Sequence, residues 1–242
     1  MAIFVFDRLG VDISIKGIYD GDILNNLKNS ILNKKYFKKS VCLDIGANIG
    51  NHTVFFSNIF KKVYAFEPHP DNFDLLNINT KKIKNIKIFN FALSNKNELM
   101  PIIREEEQEH TSCKLVKKKD LKKNKYIEKI LVSLKKFDDI YKKILKNEKI
   151  SFIKLDVEYH EEFVLEGMKK VLKKHSPIIC FEQHPNQFFL KNNEYSSTTV
   201  NILKEEGYKY FYELESIKRN WKLIKYQEYF NNFFFKILES IL

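Results

Sequence analysis

Two acids and two glycines stand at spacings that suit a nucleotide-like ligand. In the stretch Val41-Cys42-Leu43-Asp44-Ile45-Gly46-Ala47-Asn48-Ile49-Gly50, Asp44 interrupts an apolar run, and two glycines follow just ahead of His52-Thr53-Val54-Phe55-Phe56. Glycine lets backbone approach a ligand closely, and a helix start offers unpaired N–H groups. Glu67 lies 21 residues beyond Gly46 (67 − 46). At about that offset, ~20 residues, an acid of a doubly wound fold accepts from both ribose hydroxyls. The dinucleotide fingerprint G-x-G-x-x-G fails, because Asn48 and Asn51 stand where it needs glycine. A nicotinamide oxidoreductase conflicts with that failure. Groups able to move a proton gather later in the chain, as Asp156-Val157-Glu158 with His160, and as Glu182-Gln183-His184. Of these the imidazoles titrate nearest to neutral pH, at about 6.5 when unperturbed.

The elements that must position these groups alternate between strand and helix. Strands are predicted over 41–46, 62–67, 86–92, 151–156 and 177–181, with helices over 51–59, after Pro70 (buried side Phe73, Leu75, Leu76 and Ile78), from Phe137, through Phe163 to Met168, and over 197–206. Such alternation is what a parallel sheet requires, and ligands then bind at the carboxyl ends of its strands. Asp156, Glu158 and Glu182 fall at such ends. Residues 1–20 read as strand or extended chain, and Asp22 as the cap of a helix over 23–33; together, 1–40 form a cover over the ligand mouth. Residues 104–131, acidic and then basic, read as a solvated insertion, with a lid over the acceptor as the alternative. Tyr208 to Tyr212 is a further strand. Residues 221–242 are rich in aromatics: the first few complete the sheet and the rest form an apolar-faced helix, which packs on the chain's own core or makes a homodimer or membrane-surface contact.

At 242 residues the chain has room for a single α/β domain over 1–242. Its formal net charge of +11 comes almost wholly from lysine, with arginine only at Arg8, Arg104 and Arg219. Phosphate and base recognition favours arginine's planar fork, so no specific nucleic-acid site is expected. Cys42, Cys113 and Cys180 show no paired spacing, and two of them fall in predicted core strands. They read as small buried residues in a reducing compartment. No basic leader precedes the first apolar residues and no apolar run reaches the ~18 residues of a membrane span. A cytoplasmic location without a transmembrane segment follows as an expectation.

The acid on the strand with glycine two and six residues on resembles the first motif of class I S-adenosylmethionine (SAM) methyltransferases, where Asp44 would face the methionine end of SAM. Taken together, Gly17-Ile18-Tyr19-Asp20, Asp44-Ile45-Gly46-Ala47-Asn48-Ile49-Gly50, Ala65-Phe66-Glu67-Pro68, Asn90-Phe91-Ala92-Leu93-Ser94, Phe137-Asp138-Asp139 and Lys154-Leu155-Asp156-Val157-Glu158 resemble the FkbM-type SAM-dependent methyltransferases over roughly residues 17–184. The resemblance implies a Rossmann-like fold with a mostly parallel seven-stranded sheet flanked by helices. It implies SAM binding by Tyr19, Asp44, Gly46, Ala47, Asn48, Gly50, Asn51, Glu67, Pro68, Ala92, Leu93 and Asp156, and methyl transfer to a hydroxyl of a sugar, glycan or similar natural product. Bacterial relatives often act on surface glycans. The family usually has glycine after Asp-Val-Glu, and this chain has Tyr159-His160. Asp156, Glu158, His160, Glu182 and His184 are the catalytic candidates. By one route His160 or His184 takes the hydroxyl proton. By the other, Asp156 with Glu182-Gln183 holds Mg²⁺ or Mn²⁺, as in metal-dependent O-methyltransferases of this fold class. The metal-free route is preferred. The competing reading is a non-catalytic protein of the same fold that binds nucleic acid or envelope components.

Overall fold

The computed structural model describes the chain except for residues 6, 106–111, 124, 184–186, 188, 192–193, 218–219, 226–233 and 240–242. Helices α1 (Arg8–Lys16) and α2 (Gly21–Leu27) open the chain. They are followed by strand β1 (Val41–Ile45), α3 (Asn51–Ser57), β2 (Lys62–Phe66), α4 (Pro70–Thr80) and β3 (Ile86–Phe89). Next come β4 (Ala92–Ser94), β5 (Glu98–Glu105), β6 (Lys114–Leu115), β7 (Tyr126–Lys136), α5 (Phe137–Leu145) and β8 (Ile150–Leu155). The chain continues with α6 (Glu161–Glu166), α7 (Lys169–His175), β9 (Ile178–Gln183), β10 (Phe189–Lys191) and β11 (Glu194–Ser196). It ends with α8 (Thr198–Glu205), β12 (Tyr210–Ile217), β13 (Asn220–Lys225) and β14 (Phe234–Glu239).

The strands do not form the single seven-stranded sheet expected. Among the described residues the main sheet has eight strands in the order β13-β12-β14-β9-β8-β1-β2-β3. The five from β9 to β3 are parallel, and β14, β12 and β13 extend them antiparallel. A separate four-stranded sheet runs β4-β7-β5-β6, and β10 and β11 form a hairpin pair. Strands β1 and β8 are buried at every position, as central parallel strands covered on both faces must be. One core layer packs Leu43, Ile45, Phe66, Ile153, Leu155, Leu165 and Phe181, and the opposite layer packs Phe37, Phe56, Phe60 and Phe152 under α2 and α3.

Several sequence expectations are corrected. Residues 8–16 are helical rather than extended: Asp7 caps Leu9 N–H and Gly17 closes the helix at φ 78. Of the alternating Ile13, Ile15 and Ile18 that suggested a strand, Ile13 is buried and Ile18 half-buried, but Ile15 is exposed on the helix. The next helix begins at Gly21, with Asp22 in its first turn rather than capping it. The expected strand 86–92 is split, because Ala92–Ser94 leaves the main sheet to pair in parallel with β7. Parts of the 104–131 insertion are strand, not loop: β5 and β7 pair antiparallel, and Met100, Ile102, Ile130 and Val132 pack on Ala92. In α4, Leu76 is buried but Ile78 is exposed. The backbone of 234–239 is a strand rather than a helix; it fills the position beside β9, whose open edge offers unpaired backbone groups to a β-prone Phe/Ile/Leu run. No helix among the described residues is long and apolar enough to cross a membrane.

Candidate active site

Strand order reverses across β1, which has β2 on one side and β8 on the other. A crevice is expected outside the carboxyl ends at such a switch point. The chain turns there through Gly46 at φ 79, Asn48 at φ 52 and Gly50 at φ 93. A Cβ at Gly46 would lie 1.7 Å from Asp156 O, so only glycine lets the β1 turn pass under the β8 end. A Cβ at Gly50 would meet the Leu76 side chain at 2.7 Å.

Glu67 ends β2 as expected, and its carboxylate is held by two backbone donors. Asn48 N–H donates to Oε2 and His69 N–H to Oε1, each at 2.8 Å. Each oxygen keeps acceptor capacity, so a diol can be met by a carboxylate that is already oriented. Burial pushes this carboxyl up to about 7, against the pull of the two N–H groups. Asn90, also at the rim, donates to Glu67 O at 3.0 Å.

Asp44 does not face the crevice as expected. It is fully buried, accepts from Thr53 Oγ1 at 2.5 Å and lies 3.6 Å from Lys154 Nζ. Its Oδ1 has no hydrogen-bond partner among the described residues. Burial raises its pKa, against the Lys154 charge and the Thr53 hydrogen bond. Asp44 therefore acts through Lys154, a buried cation that sequence reasoning left without a role. Lys154 Nζ donates to Gly46 O at 2.7 Å and lies 3.1 Å from Asp156 Oδ2, tying the turn after β1 to the end of β8. Burial alone would lower its pKa, but Asp156 and Asp44 together raise it, so it stays charged.

Asp156 and Glu182 come together from the ends of β8 and β9 and share a side-chain hydrogen bond. Burial would raise the Asp156 carboxyl, but Lys154 and the Glu182 bond bring it below the ordinary range. Glu182 is pushed up to about 9 by burial and by the Asp156 charge. At neutral pH, then, Glu182 is the acid that donates and Asp156 the carboxylate that accepts. Asp20 and His52, two further residues that sequence reasoning missed, face the same place. Asp20 sits at φ 54, its Oδ2 3.7 Å from His52 Nε2, and burial with the nearby Asp156 charge lifts it to about 6. His52 is pushed down to about 3, by burial first and then Lys154, so its ring is neutral.

The remaining expected site residues divide. Asn51 is spent on the cover segment: its Oδ1 accepts from Tyr19 N–H at 3.1 Å and its Nδ2 donates to Tyr19 O at 2.9 Å. Ala47 is buried beside Ala65 and Leu76, and Pro68 is half-buried next to Glu67. Ala92 and Leu93 direct their side chains into core, leaving only backbone for a ligand. His160 is corrected as a proton acceptor. It is buried, its Nε2 is 2.9 Å from Ser94 Oγ, its ring packs 4.7 Å from Phe163, and burial lowers it to about 4. Glu158, at φ 49, accepts from Ser112 Oγ at 3.0 Å. Gln183 turns away from a ligand set: its Nε2 donates to Gln187 and its Oε1 accepts from Ser197. His184 lies outside the described residues. No group of three or more metal-ligating side chains is found among the described residues.

The residues fit SAM on their own geometry. Glu67 presents acceptors for a diol, Gly46 and Gly50 leave room at the turn, and the Asp156 and Asp20 carboxylates suit a cationic sulfonium or ammonium. Comparison with solved structures agrees on the fold. A methyltransferase FkbM from Methylobacillus flagellatus KT matches with TM-score 0.51 and 15% identity over 89% of this chain, which spans 47% of that one. A precorrin-6y C5,15-methyltransferase from Geobacter metallireducens matches with TM-score 0.46 and 10% identity over 93% of each chain. A precorrin 8w decarboxylase from Methanobacterium thermoautotrophicum matches with TM-score 0.49 and 12% identity over 92% of this chain and 91% of that one. At such identities the first speaks for the fold alone, and the others fall below a TM-score of 0.5. No curated protein matches the chain. The family model of the methyltransferase FkbM domain matches residues 44–210, well over half of the sequence. This chain therefore belongs to the FkbM family of SAM-dependent methyltransferases.

Proposed function

We propose that this domain moves the methyl group of SAM to a hydroxyl of a sugar, glycan or similar small natural product. The observation that carries this reading is the set of carboxyl groups at the β8 and β9 ends, Asp156 with Glu182, joined by Asp20 and neutralised from below by Lys154. When bound, SAM supplies a methyl already activated by its sulfonium, so the protein has to align the acceptor and remove one proton. Asp20 suits that second task. Its pKa of about 6 lies close to working pH, whereas Asp156 is held ionised and weakly basic by Lys154. Glu182, protonated, donates to Asp156. With SAM bound, the acceptor oxygen would take the methyl as its C–S bond breaks, S-adenosylhomocysteine would leave, and Asp20 would receive the hydroxyl proton.

Lys154 also favours the route without a metal. Its ammonium already lies between Asp156 and Asp44, the acids nearest the turn, so their charge is offset by the chain itself. Gln183, the amide that a cation site would recruit, is committed to Gln187 and Ser197. The test is transfer of isotopically labelled methyl from SAM to a panel of glycosides, read by mass spectrometry with and without a chelator. Transfer should persist with chelator and fall about 10²- to 10⁴-fold in Asp20→Asn, the usual range for losing a general base. It should also decline as pH drops through about 6, where Asp20 takes up its proton. Activity abolished by chelator and restored by Mg²⁺ would refute the metal-free route.

A further inference from the structure

The loop from Asp156 to His160 is fixed at both ends and strained in the middle. At its start, Asp156 N–H donates to Ile45 O at 3.1 Å, and Val157 N–H donates to Glu161 Oε1 at 3.2 Å. At its end, His160 is buried against Ser94 and Phe163. Between them Glu158 and Tyr159 take left-handed backbone in succession, at φ 49 and φ 69. Cβ crowding disfavours that region for any L-residue, and glycine would occupy it freely. Tyr159 is 42% exposed. Strained backbone of this kind clusters at active sites and ligand clamps.

The charge around it narrows the ligand. Asp20, Asp156 and Glu158 gather at the mouth with Glu182, and the pKa of Asp20 and Glu182 is raised by burial first and then by the Asp156 charge. Lys154 is already shared between Gly46 O and two acids, and Lys117 lies over the Phe163 ring at 5.2 Å. A phosphate or carboxylate would be repelled there, although the whole chain carries +11. Carboxylates accept from O–H groups, and an exposed aromatic face takes C–H bonds. We propose that Tyr159 is the acceptor-binding platform, stacking on a neutral, polyhydroxylated ring whose hydroxyls are taken by Glu158 and its acidic neighbours. This rests on the methyl-transfer reading for its setting, but binding can be read without turnover.

The experiment is saturation-transfer NMR on the full chain loaded with S-adenosylhomocysteine, using methyl glucopyranoside, methyl mannopyranoside and methyl galactopyranoside, with glucose 6-phosphate as the anionic control. At least one glycoside should receive saturation at its ring C–H protons and bind at least about tenfold more tightly than the phosphate. Tyr159→Phe should keep this binding, and Tyr159→Gly should weaken it at least about tenfold, with S-adenosylhomocysteine affinity unchanged and the melting temperature raised by release of strain. Tyr159→Asn, which also tolerates left-handed backbone, gives a second loss of the ring should the glycine variant fail to fold. Equal glycoside binding in Tyr159→Gly or Tyr159→Asn, no glycoside bound by the unaltered chain, or an equally tight phosphate would overturn the proposal. Glycoside binding without methyl transfer would instead overturn the hydroxyl-transfer reading and leave the platform standing.

Discussion

Replacing Lys154 by methionine tests whether one buried ammonium holds the two halves of the crevice together. The side chain is 6% exposed, donates to Gly46 O and stands within 3.6 Å of Asp44 and Asp156. Methionine keeps the apolar stem and removes the charge. Taking away one partner of a buried ion pair costs about 3–5 kcal/mol, because the remaining charge is left without compensation. At roughly 2–4 °C per kcal/mol for a chain of this size, the melting temperature should fall by about 6–20 °C near neutral pH. Lys154 has a raised pKa, so in the unaltered protein its contribution is fully present at neutral pH and is lost only well into the alkaline range. In the variant, Asp44 and Asp156 lose the cation that offset their burial. Their folded-state pKa values rise, and the destabilisation is largest above that range and shrinks as acid pH protonates them. Thermal melts followed by circular dichroism at about pH 7 and about pH 5 read both effects. Adding Asp44→Asn to the variant should recover about 1–3 kcal/mol, since the two residues share one network. A melting temperature within about 2 °C of the parent, or a deficit that does not narrow in acid, would show that Lys154 does not carry this role.

Three other outcomes follow from the same geometry. Gly46→Ala would place a Cβ 1.7 Å from Asp156 O, so calorimetry should show SAM binding lost; retained affinity would mean the β8 end can move aside. Glu67 sits near 7 when free, and ribose hydroxyls favour its ionised form, so SAM binding near neutral pH should release protons; the binding enthalpy should then vary with the ionisation enthalpy of the buffer in the parent but not in Glu67→Gln. Asn51→Ala removes both hydrogen bonds to the Tyr19 backbone, at a cost of about 1–3 kcal/mol, and should make the chain near Gly17 to Asp20 more sensitive to limited proteolysis; unchanged cleavage would place the hold on that segment elsewhere.

The parallel half of the fold was legible because its signals are local. A buried run ending in a glycine turn, then an apolar helix, then Val63 to Phe66 and an acid, constrain one another within some 27 residues, 41–67. Of the antiparallel additions, the strand after Tyr208 and the sheet-completing start of 221–242 were legible, but the last strand was not. Phe234–Glu239 pairs with Ile179–Gln183, more than 50 residues earlier, and an aromatic run carries no mark of the edge it will join. The same holds for Glu98–Glu105 and Tyr126–Lys136, whose pairing spans a stretch of charges that reads as solvated chain. Ile15 misled in the opposite direction, an alternating apolar residue on a helix face that meets solvent.

At the site, the positions were readable and the division of labour was not. Asp44 and Glu67 were singled out from spacing and Asp156 and Glu182 from predicted strand ends, but neither signal says which acid touches ligand and which supports another residue. Asp44 proved to be a support. A signal for its partner was present in Ser-Phe-Ile-Lys-Leu-Asp: a lysine in a strand expected to be buried on both faces must find counter-charges, and Asp44 lies on the neighbouring central strand. Register then makes the pairing definite, because Asp44 stands opposite Lys154 across the β1–β8 ladder. Asp20 was hidden for a different reason. Its approach to Asp156 depends on Asn51 clamping the Tyr19 backbone, a contact 32 residues apart in sequence that no helical or strand period announces. Histidine drew attention by its free pKa, yet His52 and His160 are both buried to neutrality. Burial raises a carboxyl toward working pH and drives an imidazole away from it, so among the described residues the acids of this crevice, rather than His52 or His160, have pKa values shifted toward proton exchange near neutral pH.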